Sequence, residues 1–175
     1  MNGTTAGSEL RIRPRNSSDL AEAAAALVAV YEADGYPVEG VAEPERWLSP
    51  PELLAAWVAE LSGRVVGHVA VSGTDTARGG VLERLFVLPD ARRHHAGERL
   101  VRAAEAYAQA RNLALELEVL AKDEAAIRLY KRLGWSETGR RAHQLETGDS
   151  HPALTFAAPQ ESASRVRSSS SRRRA

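Results

Sequence analysis

Residues 82–135 decide the fold of this chain and read LERLFVLPDARRHHAGERLVRAAEAYAQARNLALELEVLAKDEAAIRLYKRLGW. Apolar residues recur every three to four positions over 97–112 and 123–133, which predicts two helices. Between them, residues 114–120 alternate apolar and charged side chains and predict a half-buried strand. A further strand is predicted over 81–88. A strand–helix–strand order predicts that the two strands run parallel.

The elements outside this stretch complete a mixed sheet. The Ser-Gly pair at 62–63 separates two strand-like segments and predicts a tight antiparallel hairpin. The other predicted elements are a strand over 10–14, a helix from about 17 to 31, a loop or short helix up to 51, hairpin strands over 52–61 and 64–72, and late strands over 135–139 and 153–157. Together they predict an α/β chain with helices on both faces of the sheet.

Composition excludes several classes of protein. The chain has 175 residues, of which 43% are hydrophobic, and it has no cysteine. Disulfides, thiolate catalysis and cysteine zinc sites are therefore excluded. Apolar runs fall far short of the roughly 20 residues that cross a membrane, and residues 1–9 lack the features of a secretory signal. We expect a cytoplasmic protein with a flexible segment over 1–8 and one domain over 9–158.

The C-terminal segment 159–175 is rich in serine and arginine. It has a net charge of +4 from five arginines and one glutamate. A segment with so few apolar residues buries too little apolar surface to offset the entropy lost on ordering. We therefore predict that it is disordered. One alternative is a protein that associates with nucleic acid through this segment. That alternative requires the segment for function. The leading interpretation expects no specific nucleic acid and no membrane partner.

The junction before the helix at 97 suits an anion. The unpaired N–H groups at a helix N-terminus bind phosphate, and small residues allow close approach. The basic residues at this junction add positive potential, and the adjacent histidines are poorly placed to converge on a metal, so no metal site is predicted. The residues predicted to form this phosphate-type loop are Arg92, Arg93, His94, His95, Ala96 and Gly97.

These motifs resemble the acyl-CoA-binding region of the GCN5-related N-acetyltransferase (GNAT) superfamily. Arg92, Ala96 and Gly97 fit the family's phosphate-loop pattern, whereas His95 stands where its first glycine usually lies. Leu129-Tyr130 and Gly134-Trp135 mirror the family's Leu-Tyr and Gly-Phe pairs. The resemblance implies a mostly antiparallel sheet of six to seven strands, acetyl-CoA as co-substrate, no metal, and direct acetyl transfer to an amine.

The resemblance also implies roles for individual residues. Tyr130 is the candidate acid that protonates the thiolate leaving group. Asp123 occupies the position of a cofactor-contacting asparagine, and it is equally suited to cap the following helix. Glu118 and Glu83 compete for the role of base, and a water relay is a third option. The backbone of Leu85, Phe86 and Val87 is expected to hold the thioester carbonyl and the pantetheine.

The acceptor is expected between the first helix and the loop that follows it. Acidic and aromatic side chains there suit a cationic amine. These side chains belong to Tyr31, Glu32, Asp34, Tyr36, Glu39, Glu43, Glu45 and Trp47. The expected partner is a small-molecule or peptide amine, and the sequence leaves a homodimer open. The alternative is a non-catalytic acyl-CoA-binding or sensory domain of the same fold, which the off-pattern His95 and Asp123 favour.

Overall fold

The computed structural model describes residues 9–160, which form one seven-stranded sheet and four α-helices. The strands are β1 (Leu10–Pro14), β2 (Leu53–Leu61), β3 (Arg64–Gly73), β4 (Gly79–Val87), β5 (Ala114–Leu120), β6 (Ser136–Gln144) and β7 (Ser150–Ala157). The helices are α1 (Leu20–Asp34), α2 (Pro44–Trp47), α3 (Ala96–Ala110) and α4 (Glu124–Arg132). The predictions for 1–8 and for 161–175 lie outside the described residues.

The sheet is mixed and mostly antiparallel, as predicted. Its strand order is β1-β2-β3-β4-β5-β7-β6. Within residues 9–160, β4 and β5 form the one parallel pair, and the other neighbours are antiparallel. Ser62 and Gly63 both have positive φ, which is the turn conformation that matches the twist of a two-residue hairpin.

Helices cover both faces of the sheet. Successive residues on a strand point to opposite faces. Val65 and Val66 on β3 accordingly belong to different hydrophobic clusters, the first beneath α1 and the second beneath α3. Tyr130 of α4 joins the α3 cluster. The prediction of helices on both faces is confirmed.

β4 and β5 separate soon after they meet. Their pairing covers only Gly79–Val81 against Ala114–Glu116. Just beyond it, Glu83 pairs with Ala70 and Phe86 pairs with His68, so two β4 residues face one β3 residue. Arg84 lies in this bulge with φ of 55°. Because a bulge bends its strand, β4 diverges from β5 and a gap opens between them.

Candidate active site

The gap between β4 and β5 forms the floor of a cleft. Its volume is about 880 Å³, and residues of α1, β4, β5, β6, α4 and the loops before α2 and α3 line it. Leu115, Leu117 and Val119 of β5 pack into the α3 cluster. Glu116, Glu118 and Leu120 therefore point to the opposite face, which is the face of α1. The cleft lies in the middle of the sheet, where the parallel pair of β4 and β5 splits.

The N-terminus of α3 opens at one end of this cleft. His95 and Gly97 line it, and no side chain caps the helix. His95 has φ of 58°, so the position requires the left-handed conformation that glycine adopts most easily. The family pattern has glycine here for that reason. The left-handed backbone is kept despite the histidine, and its N–H groups remain suited to a phosphate.

Arg92 also lines the cleft, whereas its neighbours do not. The guanidinium of Arg92 forms an ion pair with Asp34 at the end of α1, and its Nε donates to Val87 O at 3.2 Å. Arg93 and His94 are exposed and lie outside the cleft lining. The Ala96 side chain is fully buried, so only its backbone is available to a ligand. A cofactor role for Arg93, His94 and Ala96 stays a prediction.

Tyr130 lies in the wall of the cleft with its ring in the core. Its exposed fraction is 5%, and its ring centroid is 5.7 Å from that of Trp135 and 6.3 Å from that of Phe156. Burial raises the pKa of the phenol, and the charge of Asp123 raises it further. The group therefore keeps its proton at neutral pH, which is the state that an acid requires.

Asp123 occupies the N-cap position of α4 but its side chain does not cap the helix. The side chain makes no capping hydrogen bond, so the expectation of a capping aspartate is wrong. Its backbone, with φ of −84° and ψ of 64°, departs from the extended conformation of capping residues. The carboxyl group instead lines the cleft, where burial raises its pKa.

The two candidate bases, Glu83 and Glu118, both line the cleft and both have partners. Glu83 accepts a hydrogen bond from Ser72 Oγ at 2.5 Å and pairs with Arg84. Glu118 accepts from His143 Nδ1 at 2.6 Å and pairs with Arg141. Each carboxylate is thus held by one hydrogen bond and one ion pair.

The backbone of Leu85, Phe86 and Val87 lies along the open edge of β4. Within residues 9–160, no strand pairs with this edge beyond Val81, and all three residues line the cleft. A backbone without a strand partner is suited to bind an extended ligand as a further strand would. The backbone role of these residues stays a prediction.

The buried side chain of His68 contacts the bulge in β4. It is fully buried, donates from Nδ1 to Arg84 O at 2.9 Å, and stacks on Phe86. Arg15 Nη1 donates to its Nε2 at 3.0 Å. Since a guanidinium only donates and a carbonyl only accepts, these contacts define a neutral ring with its proton on Nδ1. Burial lowers the pKa of His68 to about 4, in agreement with a neutral ring.

The loop between α1 and β2 covers the other end of the cleft. Trp47 Nε1 donates to Glu39 at 2.9 Å, the Trp47 ring contacts Tyr36 edge-on, and Arg84 lies 4.8 Å from the centroid of Trp47. Of the predicted acceptor residues, Asp34, Tyr36, Glu39 and Trp47 line the cleft, while Tyr31, Glu32, Glu43 and Glu45 do not.

The sequence interpretation missed His143, Arg141 and Arg84. It ended the strand after 135 at Gly139, whereas β6 continues to Gln144. Residues 136–144 do not alternate between apolar and polar side chains, so the sequence held no signal for the longer strand. The bulge at Arg84 depends on its pairing with β3, which the sequence does not encode locally.

The family of this chain follows from its sequence and fold together. A family model described as acetyltransferase (GNAT) family matches residues 21–135. The chain belongs to this family. The resemblance inferred from the motifs is therefore confirmed, and the family implies an acyltransferase.

Similar proteins agree with this assignment. An uncharacterised N-acetyltransferase of Methanocaldococcus jannaschii is 33% identical over 98 residues, which are 53% of this chain and 43% of that protein. The chain thus spans less than half of that relative. The ribosomal-protein-S18-alanine N-acetyltransferase of Escherichia coli has the same fold, with a TM-score of 0.65, 23% identity and coverage of 90% of this chain and 98% of that one.

A third protein of this fold was solved with its cofactor. It is yncA of Salmonella typhimurium with acetyl-CoA, and it shares 16% identity at a TM-score of 0.68, covering 89% of this chain and 96% of that one. No helix within residues 9–160 is long and apolar enough to span a membrane. Over the same residues, no group of three or more His, Asp or Glu side chains is arranged to hold a metal ion.

Proposed function

We propose that this protein transfers an acetyl group from acetyl-CoA to the primary amine of a small molecule or a protein N-terminus by direct attack. The observation that carries the proposal is the split between β4 and β5. It opens one continuous cleft from the uncapped N-terminus of α3 to Glu118 and Tyr130. Acetyl-CoA supplies an activated acetyl thioester when bound there.

Each part of the cleft suits one part of this donor or of the acceptor amine. The N–H groups at the start of α3 suit the pyrophosphate, and Arg92 adds a positive charge beside them. The open edge of β4 suits the pantetheine amides and the thioester carbonyl oxygen. Tyr130, held protonated by burial, suits the thiolate that leaves. Tyr36, Glu39 and Trp47 at the opposite end suit a cationic amine.

Calorimetric titration with acetyl-CoA is the first test, and an amine screen by thiol release is the second. The chain contains no cysteine, so every thiol detected in the screen comes from CoA. The screen includes small amines, amino acids and a peptide with a free N-terminal alanine. Micromolar binding and turnover of one acceptor class are expected.

Two outcomes oppose the proposal in different ways. Binding of acetyl-CoA without turnover of any amine would favour the non-catalytic acyl-CoA-binding domain. No binding at millimolar acetyl-CoA would show that the cleft does not take this donor. Deletion of 159–175 is expected to leave turnover intact, whereas loss of activity would favour the nucleic-acid alternative.

A further inference from the structure

One face of the sheet brings a glutamate and a histidine of the cleft together across an intervening strand. Glu118 lies on β5 and His143 on β6, and β7 runs between them. Ala153 of β7 pairs directly with Leu120 on one side and with Arg141 on the other. Its small side chain leaves room for Arg141 and His143 to reach Glu118. The His143 Nδ1 to Glu118 Oε1 distance is 2.6 Å.

The contact with Glu118 defines the state of the His143 ring. An ionised carboxylate only accepts hydrogen bonds, so Nδ1 carries a proton and the lone pair of the neutral ring lies on Nε2. A carboxylate on one ring nitrogen also orients the imidazole. The His143 side chain is 33% exposed and lines the cleft, so the ring is accessible to a molecule bound there.

Both oxygens of Glu118 are occupied. Oε1 accepts from His143, and Oε2 accepts from Arg141. This carboxylate is therefore arranged to position a neighbour rather than to take a proton itself. Glu83 also has two partners, but Ser72 and Arg84 both contact its Oε1. Of these three groups, His143 offers a neutral nitrogen base, the lone pair on Nε2, and histidine is the side chain that most often acts as a general base.

We propose that His143 Nε2 is the base that accepts the proton of the acceptor ammonium, with Glu118 as its positioning residue. This inference rests on the proposed acetyltransferase function. The neutral amine then forms the N–C bond as the C–S bond breaks, and the thiolate takes the phenol proton of Tyr130. The surplus proton of the new amide returns through water to the phenolate, and His143 releases its proton to solvent, so the protons balance.

Several charged groups surround His143. From β5 it faces Glu118, on its own strand Arg141, and on β7 the directly opposite His151. The start of α4 and the turn before it contribute further charges to the same cleft, namely Lys122, Asp123 and Glu124.

The first test is the pH profile of kcat/KM for the amine. The wild type is expected to show an ascending limb near neutral pH. His143→Gln should lose this limb and about 10²-fold in kcat, with unchanged acetyl-CoA binding. Glu118→Gln should keep the limb, because the glutamine amide oxygen can still accept from Nδ1. A purely structural role for His143 would not remove the limb.

His151→Gln is the matched control, since His151 lies opposite His143 but outside the cleft lining. It should keep the wild-type profile. The second test is ¹⁵N NMR of the histidine rings, which needs no substrate. The proton of neutral His143 is expected on Nδ1, and a proton on Nε2 would overturn the proposal.

The outcomes separate this inference from the proposed function. If the wild type acetylates an amine and His143→Gln retains both rate and limb, only the role of His143 is refuted. If the wild type acetylates no amine, the proposed function is refuted. The role of His143 as a base is then refuted as well, whichever ring nitrogen carries the proton.

Discussion

Asp34, the last residue of α1, forms an ion pair with Arg92, which lies in the loop before α3. The pair joins two walls of the cleft at the end where a pyrophosphate would bind. The side chains are 39% and 46% exposed, so the pair contributes about 0–1 kcal/mol. Asp34 therefore competes modestly with a phosphate for the same guanidinium.

Asp34→Asn is expected to tighten acetyl-CoA binding. The substitution frees Arg92 and removes a negative charge near the phosphates, and 0–1 kcal/mol corresponds to at most about a fivefold lower Kd. Arg92→Gln should weaken binding instead. Calorimetry at low and high salt checks both, since the differences should shrink as salt screens the charges. Weaker binding in Asp34→Asn would mean that the ion pair organises the loop rather than competing for Arg92.

His95→Gly is expected to stabilise the protein without loss of acetyl-CoA binding. His95 holds φ of 58°, which costs a non-glycine residue about 1–2 kcal/mol, while glycine costs about 0.5–1 kcal/mol in unfolded-chain entropy. The net gain in unfolding free energy should be about 0.5–1 kcal/mol, measured by thermal or urea unfolding. His95→Ala keeps the Cβ and should show no such gain. His95 Nδ1 lies 3.9 Å from a carboxylate oxygen of Glu98, and a loss of stability in His95→Gly would show that this contact outweighs the strain.

Gly97→Glu is expected to abolish acetyl-CoA binding, whereas Gly97→Ala should preserve it. A Cβ at Gly97 would lie 3.5 Å from Leu129 Cδ2, which is ordinary contact, so alanine fits. A glutamate places a negative charge against the phosphates, and such like-charge contacts cost several kcal/mol, or about 100-fold or more in Kd. Calorimetry of both variants is the measurement. Undiminished binding in Gly97→Glu would place the pyrophosphate elsewhere.

Tyr130→Phe is expected to lower kcat by about 10²-fold with little change in acetyl-CoA affinity or stability. Phenylalanine keeps the ring contacts with Trp135 and Phe156 and removes only the proton donor. Steady-state kinetics with the acceptor found in the screen, together with calorimetry, separates the two effects. An unchanged kcat would show that the thiolate takes its proton from another source.

The sequence predicted the elements that depend on local pattern. Alternation gave β5, helical spacing gave α1, α3 and α4, and the Ser-Gly pair gave the turn between β2 and β3. It also placed His95 at a family glycine position, and the structure shows the left-handed backbone that explains the glycine. These features depend on periodicity and turn chemistry, which a single segment contains.

The contacts between distant segments could not be predicted in the same way. The pairing of Glu118 with His143 requires the strand order β5-β7-β6 and a small residue on β7. The position of Asp123 was predicted correctly, but its capping role was not, since that role depends on a backbone ψ that residue type does not fix. Tertiary register therefore decides which side chains meet in the cleft.

His68 makes the stability of the protein depend on pH between about 6.5 and 4. Its pKa falls from 6.5 in the unfolded chain to about 4 in the fold, because burial disfavours the charged ring. The unfolded state binds the proton more tightly, so stability is fully present above pH 6.5 and declines as pH falls towards 4. The loss is on the order of 3 kcal/mol, at up to about 1.4 kcal/mol per pH unit.

His68→Asn is expected to remove this dependence. Asparagine has an N–H donor for Arg84 O and does not titrate, so the urea-unfolding free energy of the variant should stay nearly level between pH 6.5 and 4 while that of the wild type falls. NMR titration of His68 gives an independent check, because the ring should stay neutral in the folded protein down to about pH 4. A ring that titrates near 6.5 in the folded protein would refute the buried neutral state and its support of the β4 bulge.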